Sequence, residues 1–134
     1  MKREADRGRG LLDVVASAFT AVGNFLGNHS GISEQSLRGE MGPIREEPGV
    51  VDVLSFRSVV EWLTENRPAV TGVNAVILRE KQADCLRMIT VYITASGKPL
   101  TDDRGFMRGR VQRALQLDQE LLDFFGNHSM VLFK

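Results

Sequence analysis

Residues 101–125 read TDDRGFMRGRVQRALQLDQELLDFF, and how they are interpreted decides the fold. Projected at about 100° per residue, Met107, Val111, Ala114, Leu115, Leu117, Leu121, Leu122, Phe124 and Phe125 gather on one side, the pattern of an amphipathic helix. Thr101 or Asp102 offers a side-chain oxygen to cap the free N–H groups of a first turn, and Gly126 offers a stop. The stretch therefore predicts one long helix. Gly105 and Gly109 fall opposite its apolar side. A glycine costs roughly 1 kcal/mol in a helix interior, so the pair predicts an exposed notch with a purpose.

Outward from this segment the pattern changes to strands. Residues 73–80 and 85–94 are rich in Val, Ile, Leu, Thr and Tyr and flank a polar turn at 81–84, which predicts a hairpin. Residues 130–133 predict a closing strand. Upstream, residues 50–54 read as a short strand, and Ser55 caps a helix extending to Asn66, with Phe56, Val59, Val60 and Leu63 on one face. Pro68 prevents its continuation. The order β-α-β-β-α-β predicts an α+β, ferredoxin-like sandwich over 50–134, with two helices on one face of a four-stranded antiparallel sheet. If 50–54 were instead the first turn of the following helix, three strands would remain. This architecture serves many functions and implies no activity.

Before that domain the chain divides into three. Residues 1–10 set Lys2, Arg3, Arg7 and Arg9 against Glu4 and Asp6 and include two glycines, which predicts a flexible basic arm. Over 11–26, Leu11, Leu12, Val14, Val15, Ala18, Phe19, Val22, Phe25 and Leu26 share one side of a helix that Gly27 ends. Residues 27–49 combine glycines, Pro43 and Pro48 with alternating charge and predict a linker, with one short helix around 33–38. A linker of that length lets the first helix pack at a distance or on another subunit.

At 134 residues, 43% hydrophobic and 25% charged, the composition is that of one globular domain. Seventeen basic and seventeen acidic residues cancel, so no global field draws the chain to nucleic acid or anionic lipid. The single cysteine, Cys85, excludes an internal disulfide and a Cys-rich zinc site and points to a reducing compartment, with the cytoplasm as the expected location. Glu4, Asp6 and Asp13 interrupt what would otherwise imitate a signal peptide, so export is not expected. The apolar run 11–26 is too short to span a bilayer as a helix.

The strand at 85–94 carries the main functional signal. One parity gives Cys85, Arg87, Ile89, Val91 and Ile93; the other gives Leu86, Met88, Thr90, Tyr92 and Thr94. Both faces are largely apolar, so the second sheet face needs a cover, either the N-terminal helix or a second copy of the chain. The leading expectation is a non-enzymatic interaction or assembly module that self-associates or binds a protein partner, using Phe19, Val22 and Phe25 of the first helix and Met88 and Tyr92 of the sheet. The alternative is a nucleic-acid-binding protein. Lys98, Arg104, Arg108, Arg110 and Arg113 outnumber Asp102 and Asp103 around the expected helix start, and Arg7 and Arg9 can join them. Tyr92 alone does not provide the paired aromatics of an RNA-recognition sheet. A membrane interface through 10–27 is a weaker third reading, since the helix has a large apolar and a small neutral polar face.

Nothing points to catalysis. The chain has no Gly-x-Ser-x-Gly elbow, phosphate-binding Gly-x4-Gly-Lys loop or dinucleotide fingerprint, and Cys85 sits within a strand pattern. His29 and His128 lie in identical Gly-Asn-His-Ser tetrapeptides and read as two similar helix-stop turns, short of a zinc signature. No catalytic residue, cofactor, metal or small-molecule substrate is expected. Arg110 and Asp118 project into the apolar arc of the predicted helix, so whichever is enclosed should be paired.

Overall fold

The computed structural model describes residues 21–23 and 33–134. In chain order it contains β1 (Ala21–Gly23), α1 (Glu34–Gly39), β2 (Ile44–Leu54), α2 (Phe56–Glu65), β3 (Asn74–Lys81), β4 (Leu86–Ile93), β5 (Met107–Leu117), α3 (Gln119–Phe125) and β6 (Met130–Phe133). The basic arm over 1–10, the helix expected over 11–26 and the side chains of Phe19, Val22 and Phe25 lie outside the described residues, apart from the backbone of β1.

The fold is α+β, but it is not the ferredoxin-like sandwich. Five strands form a mixed sheet in the order β6-β3-β4-β5-β2, with β1 antiparallel to β6 as a sixth. β3, β4 and β5 form an antiparallel meander, β6 pairs antiparallel with β3, and β2 pairs parallel with β5. The long helix expected over 101–125 is replaced by strand β5 and the short helix α3.

The reason lies in how β5 is buried. Met107, Val111, Ala114 and Leu117 are its enclosed residues, at a spacing close to that of a helix. Met107 and Val111 belong to one core cluster, whereas Ala114 and Leu117 belong to the cluster on the opposite sheet face. The strand thus changes its buried face midway. The two glycines have distinct places, Gly105 in the turn before β5 and Gly109 within the strand. Gly105 turns the chain with φ 85°, and a Cβ on Gly109 would overlap the carbonyl oxygen of Thr90 on β4, with the Thr90 carbonyl carbon 2.9 Å and the Val91 Cα 3.0 Å away.

The two sheet faces carry two cores. On one, Leu54, Val59, Val60, Leu63, Met88, Tyr92, Leu121, Phe125 and Phe133 are packed beneath α2 and α3. Phe56, Phe124 and Phe133 meet there at centroid distances of 5.0–6.3 Å. On the other, Val76, Leu78, Ile89, Val91, Ile93, Val111 and Leu132 are buried with Leu37 of α1, and Met41 and Ile44 pack against them. Burying side chains of this size stabilises by about 1.5–3 kcal/mol each. The central strands are enclosed on both faces within one chain, which accounts for the poor alternation in 73–94.

Local chemistry sets the helix boundaries. Ser55 Oγ accepts from Ser58 N at 3.1 Å to start α2, and Ser33 Oγ accepts from Ser36 N at 3.0 Å to start α1. Asp118 lies between β5 and α3 and joins the two longer helices. Its Oδ1 accepts from Leu121 N at 2.9 Å as the N-cap of α3, and both carboxylate oxygens lie within 3.3 Å of Phe56 N at the start of α2. The half-buried carboxylate is therefore hydrogen-bonded, although not to Arg110. β2 begins at Ile44, inside the segment expected as linker, and α1 occupies residues 34–39 of it.

Candidate functional site

Two surfaces stand out, a cleft at one end of the sheet and the outer edge of β2. The cleft has a volume of about 570 Å3 and is bounded by Arg45 on β2, Trp62 and Asn66 at the end of α2, Tyr92 on β4, Asp102, Arg104 and Phe106 on the approach to β5, and Arg108 on β5 itself. Asp102 shapes this approach. Its Oδ1 accepts from Arg104 N at 2.8 Å and Phe106 N at 3.0 Å, so the carboxylate expected to cap a helix folds a tight loop instead. The loop is tied to the sheet by Leu100 N to Tyr92 O at 2.9 Å and Arg108 N to Leu100 O at 2.7 Å.

The wall of the cleft is aromatic and cationic. Trp62 stacks on Tyr92 at 5.9 Å, and the Arg110 guanidinium lies over the Trp62 ring at 4.5 Å. Tyr92 donates its hydroxyl to Leu63 O at 2.6 Å, and burial pushes the phenol's pKa up. Desolvation pulls the Arg110 pKa below its ordinary value, with Glu47 opposing the shift and Arg45 adding to it. Arg110 remains charged, because an arginine starts far above neutral pH. Its buried Nε has no hydrogen-bond partner among the described residues.

The four arginines singled out in the sequence do not form one patch. Arg104 and Arg108 are exposed, line the cleft and make no ion pair among the described residues. Arg110 borders it through Trp62. Arg113 pairs with Glu46 at 2.9 Å on the opposite sheet face, within a series of ion pairs in which Arg87 reaches Glu46 and Glu80, and Glu80 reaches Arg38. Met88 and Tyr92 are 1% exposed beneath the helices and are not available to a partner. Arg45, Trp62, Asn66 and Phe106 were not apparent as site residues from the sequence.

The second surface is β2. Among the described residues it pairs only with β5 and ends the sheet, so its outer edge leaves backbone groups unpaired. Val50 is 48% exposed, Val51 36% and Val53 46%, and Leu115 beside them on β5 is 56% exposed. Val50, Leu115, Cys85 and Arg113 line a neighbouring recess of about 470 Å3.

Among the described residues no three His, Cys, Asp or Glu side chains gather to hold a metal, and no helix is long and apolar enough to cross a membrane. No known protein family, curated protein or solved structure matches the chain.

Proposed function

We propose that this chain is a non-enzymatic interaction module that self-associates by pairing the outer edge of β2 with β2 of a second copy. The carrying observation is that edge, unpaired among the described residues, where Val50, Val51 and Val53 are exposed on the last strand of the sheet. Pairing such an edge satisfies backbone groups and removes apolar surface from water together. Among the described residues the apolar sheet face is already buried within one chain, whereas the β2 edge is exposed. Pro48 lacks an N–H and blunts the first half of the strand, which directs pairing to residues 49–53. An antiparallel pair centred on Val51 sets Val51 against its own copy and each Asp52 against Val50, keeping the two carboxylates apart. The cytoplasm is the proposed location, on the single free Cys85.

Sedimentation of the full chain tests this reading. The wild type forms dimers as its concentration rises, and Val51→Lys or Val53→Lys, which place a charge on the edge, shift it to monomer with little change in thermal stability. A wild type that stays monomeric at high concentration, or dimers unaffected by both lysines, would refute it.

A further inference from the structure

The cleft is separate from the β2 edge, and its chemistry is specific. Arg104 and Arg108 present guanidinium groups with no ion pair among the described residues, and Arg45 stands on the facing strand, bound to Glu47 at 2.6 Å. Guanidinium groups recognise phosphate oxygens through paired, charge-assisted hydrogen bonds. Asp102 is the acid among the lining residues, and its Oδ1 is occupied by two backbone N–H groups. Two of the carbonyls at the end of α2, which would repel an anion, are occupied as well. Trp62 O accepts from Asn66 N and Nδ2, and Leu63 O accepts from the Tyr92 hydroxyl. Beside these cations stand Trp62 and Phe106, the latter 40% exposed, an apolar surface suited to a planar ring. A volume of about 570 Å3 falls within the range of sites for ligands of nucleotide size.

We propose that this cleft binds a nucleoside phosphate, with its phosphates held by Arg104 and Arg108 and its ring against Phe106 and Trp62. A mononucleotide fits better than a nucleic-acid strand. A strand needs a continuous cationic track, and the basic series is interrupted where Arg113 turns to the opposite face and pairs with Glu46. Neither the bound molecule nor the protein changes covalently.

Trp62 is the chain's only tryptophan, so its fluorescence reports on the cleft directly. The test titrates the full chain with ADP, and with adenosine and inorganic pyrophosphate as the two halves of the ligand. ADP should change Trp62 emission saturably and bind more tightly than either half. Arg104→Ala and Arg108→Ala should each weaken it about tenfold or more, the loss of one charge-assisted hydrogen bond. Both residues are exposed, so the variants should unfold at the wild-type temperature. Arg113→Ala, on the far face, should leave ADP binding unchanged. The proposal is overturned if ADP causes no saturable change, if Arg113→Ala weakens binding as much as Arg108→Ala, or if pyrophosphate binds as well as ADP. It is also overturned if an oligothymidylate binds more tightly than ADP and loses affinity with Arg113→Ala, which would mark a nucleic-acid surface.

Discussion

Replacing Gly109 by alanine separates the strand from the helix by the sign of the effect. In a helix over 101–125, Gly109→Ala would remove an entropic penalty and stabilise the protein by roughly 1 kcal/mol. In β5 the new Cβ overlaps the Thr90 carbonyl oxygen and lies 2.9 Å from the carbonyl carbon, both belonging to the backbone of the neighbouring strand. No rotamer relieves that contact, so β4 and β5 must separate around the Val91–Gly109 and Thr90–Arg110 pairs. Overpacking of this kind costs about 1–3 kcal/mol, and one or two ladder hydrogen bonds add roughly 0.5–1.5 kcal/mol each. A loss of about 3–4 kcal/mol is expected, a large share of the 5–15 kcal/mol typical of a domain. Urea unfolding followed by Trp62 fluorescence measures it, since Trp62 stacks on Tyr92 in the core. Gly105→Ala is the companion. Its Cβ would meet nothing within 4 Å, so only the positive φ of 85° acts against it, at about 1 kcal/mol. A Gly109→Ala variant as stable as the wild type, or more stable, would refute the assignment of β5.

Two further perturbations probe the polar contacts that fix the fold. Asp118→Ala removes acceptors from Leu121 N and Phe56 N together and should cost about 1–3 kcal/mol, read as a lower melting temperature, with Asp118→Asn recovering part of it. For Glu80, burial alone would raise the carboxyl, but hydrogen bonds from Arg38 and Arg87 outweigh it and hold its pKa below the ordinary value. A depressed folded pKa means that the stabilisation is present above the unfolded value of about 4.3 and is lost as pH falls through the folded one. Glu80→Gln should therefore cost about 0.5–1 kcal/mol at neutral pH, and this difference from wild type should vanish in acid unfolding profiles.

The parts of the fold legible in the sequence are those where one local signal has one meaning. α2 has Ser55 before it and a clear apolar face of Val59, Val60 and Leu63. The β3–β4 hairpin is long, β-branched and closed by a short turn. β5 was not legible because its buried residues recur at helical spacing while belonging to opposite sheet faces, a consequence of lying between β4 and β2. Asp102 misled for a related reason, since a carboxylate accepting backbone N–H groups caps a loop and a helix by the same chemistry. The two glycines are the available warning, being costly in a helix but suited to a turn at 105 and a close strand approach at 109. Both parities of β4 are apolar, so its sequence alone marks Met88 and Tyr92 as a contact face, and only the placement of α2 and α3 decides which face they cover. The cleft was half legible. Arg104 and Arg108 stand out by charge, but Arg45 reaches them only through the parallel pairing of β2 with β5, which no local pattern encodes.

The most direct test of self-association through β2 is amide hydrogen exchange of the wild-type chain at rising protein concentration. Pairing of two edges predicts that exchange over residues 49–53 slows as dimers form, while the ladder between β3 and β4 is unchanged. Exchange at 49–53 that does not vary with concentration, or concentration-dependent protection confined to another part of the chain, would contradict it.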